Sequence, residues 1–129
     1  MKYINKSLVI EKVRVKDIAK KFGTPAYCYS YKQLKENITN FKKNFNSFSP
    51  LICFAIKSNS NVSLVREIGK LGLGADVVSL GELMLALKAG VEPKKIVFSG
   101  VGKTSAEISY AIDKKILLIN AESKSEIIE

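Results

Sequence analysis

The chain has 129 residues, 47% of them hydrophobic, with 8 Gly, 3 Pro and no Trp. That is enough for one modest domain with a real core and too little for two, and the ordinary apolar content excludes a disordered chain. Lys plus Arg is 21 against 12 Asp plus Glu, a formal +9, which raises the question of nucleic-acid binding.

The charge pattern argues against that partner. Only Arg14 and Arg66 are arginine, the residue that base reading favours, and the lysines occur as singles and pairs along the whole chain. Such scatter fits a general compositional bias better than a designed patch. The longest apolar runs, Leu51–Ile56 and Ile116–Ile119, are strand-length and exclude a membrane-spanning helix. The first residues carry no apolar stretch of the signal-peptide kind, so the expectation is a soluble cytoplasmic protein. Cys28 and Cys53 form no close-spaced pair and the chain has no His, so no metal site is expected and both thiols are read as reduced.

Residues 1–26 are heterogeneous. A short apolar stretch surrounds Leu8, Val9 and Ile10, and Lys16 to Phe22 reads as a short helix with Gly23 just past its end. A longer amphipathic helix opens at Ser30, with Tyr31, Leu34, Ile38, Phe41 and Phe45 at helical spacing. Leu51–Ile56 is a strand candidate leading to a helix that begins near Asn61 to Ser63. Ala75–Val78, Ile96–Phe98 and Ile116–Ile119 are further strand candidates. They lead to the boxes Ser79/Glu82, Thr104/Glu107 and Ser123/Glu126, and Ser30/Gln33 is a fourth box. In each, the hydroxyl caps the helix start while the acid or amide reaches back to the capping residue.

Apolar strands without alternation are expected where both faces of a sheet are buried. Repeated strand-then-helix order at spacings of about 20 to 25 residues is the signature of a parallel α/β sheet. The order alone does not choose between an open doubly wound sheet and a barrel. The ending is physically odd, because Ser123/Glu126 announces a helix and the sequence stops at Glu129, within its second turn. The last strand would also leave an exposed apolar edge, so the sequence reads as cut.

Three segments could carry chemistry. In Phe54-Ala55-Ile56-Lys57-Ser58-Asn59 a lysine follows a buried strand at its carboxyl end, where parallel α/β folds bind ligands. Such an amine suits Schiff-base chemistry, although position alone favours a solvated lysine ending the strand. Gly100-Val101-Gly102-Lys103-Thr104 superficially resembles a phosphate-binding loop, but Val97 stands where that motif needs its first Gly. The loop is too short for a triphosphate, though its backbone N–H groups could still meet an anion. In Gly74–Glu82, Asp76 is an acid within an apolar strand and needs a partner. It reads either as a hydrogen-bonded structural carboxylate or as an acid facing a lysine on the next strand, and Glu82 as that or as a cap partner.

The run Phe54 to Asn59, followed by Gly74-Ala-Asp76-Val-Val-Ser79-x-Gly81-Glu82-Leu83, resembles the diaminopimelate decarboxylases. So do Ala89-Gly90-Val91, Lys94 to Thr104, Asn120-Ala-Glu122-Ser123 and the entry segment Phe22 to Tyr29. These are pyridoxal-phosphate enzymes built on an alanine-racemase-like barrel, and the likeness is collinear over nearly the whole chain. It implies an α/β fold, a partial (βα)8 TIM-type barrel of about the first four βα units. Residues 1–26 would be a segment of a β-rich second domain and residues 27–129 the first half of the pyridoxal-phosphate barrel.

The resemblance makes Lys57 the catalytic residue that holds pyridoxal 5'-phosphate as a Schiff base, reversing the reading from position alone. It also places Asp76 and Glu82 beside the cofactor, while capping explains Glu82 equally well. The implied reaction converts meso-diaminopimelate to L-lysine and carbon dioxide, with a small amino-acid substrate and no nucleic-acid or membrane partner. The family is homodimeric, and its cofactor-stacking His, phosphate-binding segment, ring-nitrogen acid, substrate-binding Arg and Tyr and interface Cys lie downstream. The expectation is a chain inactive alone and in need of a complementing polypeptide. Two further readings stay open, a non-catalytic pyridoxal-phosphate-binding remnant and a basic nucleic-acid-binding module.

Overall fold

In the computed structural model, which describes residues 1–45 and 47–129, the chain divides into two units, Met1–Phe48 and Ser49–Glu129. The first is built on hairpins. Strands β1 (Lys2–Ile4), β2 (Ser7–Ile10) and β3 (Val13–Arg14) pair antiparallel in the order β1-β2-β3. Ile4 pairs with Ser7, so Asn5 and Lys6 make a two-residue turn, and both have positive φ, at 45° and 62°. That is the geometry whose twist matches a hairpin. Val9 and Ile10 are the buried residues of β2.

Helix α1 (Val15–Phe22) begins one residue before the expected start and stops at Gly23, whose φ of 81° a side chain would resist. Helix α2 (Tyr31–Lys43) starts at Ser30, whose hydroxyl accepts from the Gln33 N–H. The reciprocal half of that box does not form, because the Gln33 amide donates to Asn37. Glu11, in the second hairpin turn, engages other groups of the helix start: its Oε1 accepts from Ser30 Oγ and from Lys32 N, each at 2.8 Å.

The second unit alternates strand and helix. In chain order come β4 (Cys53–Ala55), a 3-10 turn over Ile56–Ser58, α3 (Val62–Lys70), β5 (Gly74–Val77) and α4 (Leu80–Ala89). Then follow β6 (Ile96–Phe98), α5 (Ser105–Asp113), β7 (Leu118–Ile119) and α6 (Lys124–Ile128). The strands form one parallel sheet in the order β4-β5-β6-β7. Two strands are shorter than their apolar runs. Ile56 leaves the ladder for the 3-10 turn yet stays fully buried, so apolarity there marks packing and not pairing. Of Ile116–Ile119 only the last two residues pair as strand.

Register sorts the strand residues onto two faces. Phe54, Ala75 and Ile96 stand in one row and Val77, Phe98 and Ile119 in another, all on the face that meets the helices. Ile56, Val65, Val77, Leu83, Ile96 and Phe98 are the largest fully buried side chains of this core. Cys53 and Gly74 stand on the opposite face, with Ala55, Asp76, Val97 and Leu118 in the next row. There the side chains are half-buried, and Leu118 is 43% exposed.

Gly74 lets β5 lie close to its neighbours. A Cβ at that position would sit 2.1 Å from the Lys95 carbonyl oxygen and 2.9 Å from Cys53 Sγ. Among the described residues, no helix is long and apolar enough to cross a membrane.

Candidate active site

Parallel strands all end on the same side of their sheet, and the three candidate residues lie at that carboxyl end. Lys57 is exposed, in the 3-10 turn that follows β4. The turn is fixed by Ser58 Oγ, which donates to the Ala55 carbonyl at 2.8 Å, and by Asn59 N–H to the Ile56 carbonyl at 2.9 Å. With Ile56 fully buried beside it, the backbone that carries the amine is anchored while the amine stays accessible.

Asp76 lies on the adjacent strand, paired with Ala55, two residues before Lys57. It is half-buried on the face away from the helices, and it is not left without a partner. Ser99 Oγ donates to Asp76 Oδ1 at 2.7 Å, and Asn120 Nδ2 donates to Ser99 Oγ at 3.0 Å. One polar chain thus crosses from β7 past β6 to β5. Cys53, on the same face, has its thiol pushed up from the ordinary range by burial and then by the Asp76 charge.

Glu82 sits in the first turn of α4, and its Oε2 accepts from Val78 N at 2.9 Å while Ser79 Oγ accepts from Glu82 N. The acid therefore reaches one residue past the capping Ser79. Glu126 does the same at α6, accepting from Glu122 N at 2.7 Å, whereas Thr104/Glu107 forms the full reciprocal box. Lys57 and Asp76 come to neighbouring strand ends, and the Glu82 carboxylate is engaged at the start of its own helix.

The glycine-rich segment turns its lysine inward, onto carbonyls and a carboxylate of the chain itself. Lys103 is buried, and its Nζ donates to the Gly100 carbonyl at 2.6 Å and the Asn120 carbonyl at 2.8 Å, with Glu126 Oε1 at 3.0 Å. A lysine held this way ties the loop after β6 to the end of β7 and to α6. Glu126 and Glu107 are both held below the usual carboxylate range. For Glu126 the cause is first the Glu122 N–H and then Lys103; for Glu107 it is first the Thr104 N–H and then the Leu80 N–H.

The pattern of the sequence left Ser99, Asn120 and the Lys103–Glu126 pair without roles. Strand parity could have found the first two. Ser99 follows Val97 by two residues and Asn120 follows Leu118 by two, so both fall on the Asp76 face once the strands are in register. No comparable signal marks the long-range bonds of Lys103.

An aldehyde cofactor needs a primary amine that it can condense with, and a cationic product needs an acid nearby. The exposed Lys57 amine and the half-buried Asp76 carboxylate supply that pair, so the donor set fits pyridoxal phosphate; Glu82 and Lys103 are occupied otherwise.

Comparison with known proteins gives the cofactor class independently of these residues. Over 127 residues the chain is 47% identical to "Diaminopimelate decarboxylase" of Aquifex aeolicus (strain VF5), covering 98% of this chain and 30% of that protein. A solved diaminopimelate decarboxylase from M. jannaschii, in co-complex with L-lysine, superimposes with a TM-score of 0.91 at 38% identity, covering 96% of this chain and 30% of that one. The Helicobacter pylori enzyme complexed with L-lysine gives 0.83 at 42%, covering 88% and 29%. The chain thus spans about 30% of the length of the curated relatives it matches. Residues 31–129 match the family model described as "Pyridoxal-dependent decarboxylase, pyridoxal binding domain", and the chain belongs to that family.

Proposed function

We propose that the chain is the N-terminal part of a cytoplasmic, homodimeric diaminopimelate decarboxylase, the enzyme that converts meso-diaminopimelate to L-lysine and carbon dioxide. The observation that carries this reading is an accessible amine and a half-buried carboxylate at the carboxyl ends of neighbouring parallel strands, Lys57 after β4 and Asp76 in β5. Identities of 41–47% to curated enzymes of that activity support the choice of substrate. The L-lysine bound in two related structures supports it as well.

In this reading the four parallel strands are about half of a (βα)8 barrel. The helix-covered face points outward, and the half-buried face that carries Asp76 turns toward the barrel interior. Residues 1–26, with their antiparallel hairpins, belong to a β-rich second domain, and residues 27–129 to the barrel. The match of the family model from residue 31 supports placing α2 with the barrel, although α2 falls in the first compact unit of this chain.

Lys57 would supply the amine that holds the cofactor, from the anchored turn after β4. Asp76 stabilises the positive charge that the reacting nitrogen carries, and Glu82 keeps the α4 terminus fixed beside it. Pyridoxal phosphate, when bound, supplies the electron sink that decarboxylation at an amino acid's α-carbon requires.

The phosphate-binding and substrate-binding groups belong to the downstream part, so this chain acts only when that part is present. Assay of carbon dioxide released from meso-diaminopimelate tests this. The chain alone releases none, and the chain supplied with the downstream segment of the Aquifex relative releases it in a manner lost in Lys57→Ala. Release by the isolated chain, or by the complemented Lys57→Ala variant, would contradict the proposal.

A further inference from the structure

The half-buried face of the sheet carries one polar connection that the cofactor chemistry above does not use, from Asn120 through Ser99 to Asp76. Its direction follows from the groups themselves. An ionised carboxylate only accepts hydrogen bonds, and an amide NH2 only donates them. Asn120 Nδ2 donates to Ser99 Oγ, so the hydroxyl proton is the one group left to bridge the 2.7 Å to Asp76 Oδ1. The hydroxyl accepts once and donates once, and its proton has one place to be.

We infer that Ser99 and Asn120 are positioning residues that hold the Asp76 carboxylate in a single orientation for the cofactor-bearing nitrogen of Lys57. The inference rests on the proposed role of Lys57 and Asp76 and extends it to two strands, β6 and β7. Asp76 lies in the row of Ala55, one strand away from the turn that carries Lys57. A carboxylate pinned at Oδ1 keeps its charge at that strand end. A carboxylate free to turn about its side-chain torsions spreads the charge over several orientations, fewer of which stabilise a cation at the Lys57 nitrogen. The three groups come from β5 and from the residues just past β6 and β7, so the relay also makes Asp76 sensitive to the seating of β7, which is two residues long.

The chain, supplied with the downstream segment of the Aquifex relative, is incubated with sub-saturating pyridoxal phosphate and reduced with borohydride, and the label at Lys57 is counted by peptide mass spectrometry. Ser99→Ala and Asn120→Asp, which removes the donor and adds a competing carboxylate, each lower the Lys57 label about tenfold. Ser99→Thr keeps the hydroxyl and restores most of it. In the Asp76→Asn background, Ser99→Ala produces no further loss, because its effect passes through Asp76. A Ser99→Ala chain that labels like the parent overturns the inference. So does one that loses label equally in both backgrounds, since that is the signature of a merely structural hydroxyl. A parent chain that takes no label at Lys57 defeats the cofactor reading itself and this inference with it.

Discussion

The two faces of the four-stranded sheet are made by alternate residues of the same strands, yet they solve different problems. On the helix side, Ala75, Val77, Ile96 and Phe98 are at most 1% exposed and make the core. On the other side, Cys53, Ala55, Asp76 and Val97 are half-buried, and Asp76, Ser99 and Asn120 are joined by hydrogen bonds. Parallel sheets ordinarily need cover on both faces. In this chain the buried core resides in one face and the proposed chemistry in the other, so substitutions on the two sides should fail in different ways.

The largest expected effect is at the helix face. Phe98→Ala should cost about 4 kcal/mol of unfolding free energy, because a fully buried aromatic leaves a cavity. Leu118→Ala, at an exposed position of the other face, should cost about 0.5 kcal/mol or less. Urea unfolding followed by circular dichroism checks both, and equal losses would erase the distinction between the faces. Next comes Gly74→Ala, expected to destabilise by about 3 kcal/mol. The new methyl would meet the Lys95 backbone carbonyl, which cannot move aside as a side chain could.

A smaller and more local effect belongs to the rim where strands lead into helices. Lys103→Met removes the donor shared by Gly100, Asn120 and Glu126, so the loop after β6 and α6 should exchange amide hydrogens faster. The protection of β5 and β6 should hold.

The smallest effect is in acid. The Glu107 and Glu126 carboxylates accept backbone N–H groups only in the folded chain, which holds both below the usual carboxylate range. The unfolded chain then binds protons first as pH falls. The stability these acids contribute is complete above the ordinary range and is lost as pH falls through their lowered folded values. In an NMR titration, the Leu80 and Lys103 amide signals should therefore move with midpoints below those of an exposed carboxylate.

Much of the second unit was legible because its physics is local. Four apolar runs, three hydroxyl-acid boxes and their spacing lead to parallel strands and capped helices, and all three boxes cap a helix start in the structure. The finer bonds were not legible. Glu82 and Glu126 pass over their capping serines to the preceding N–H, a choice set by loop conformation and not by residue spacing. The hairpins of residues 2–14 escaped because the first turn is Asn5-Lys6, where no glycine signals positive φ. At the site, Lys57 and Asp76 were visible as an amine after one strand and an acid within the next. Their partners were not, since Ser99 and Asn120 reach Asp76 only when three strands lie in register.

The proposal that Lys57 is the cofactor amine is tested most directly by mapping where pyridoxal phosphate attaches. The chain carries lysines along its whole length, so non-specific reduction would label many of them. With the downstream segment of the Aquifex relative supplied and cofactor sub-saturating, borohydride-fixed label should concentrate on the peptide containing Lys57, drop in Asp76→Asn, and vanish from that peptide in Lys57→Ala without appearing elsewhere. Label spread over the exposed lysines in proportion to their accessibility, unchanged by Asp76→Asn, would contradict it.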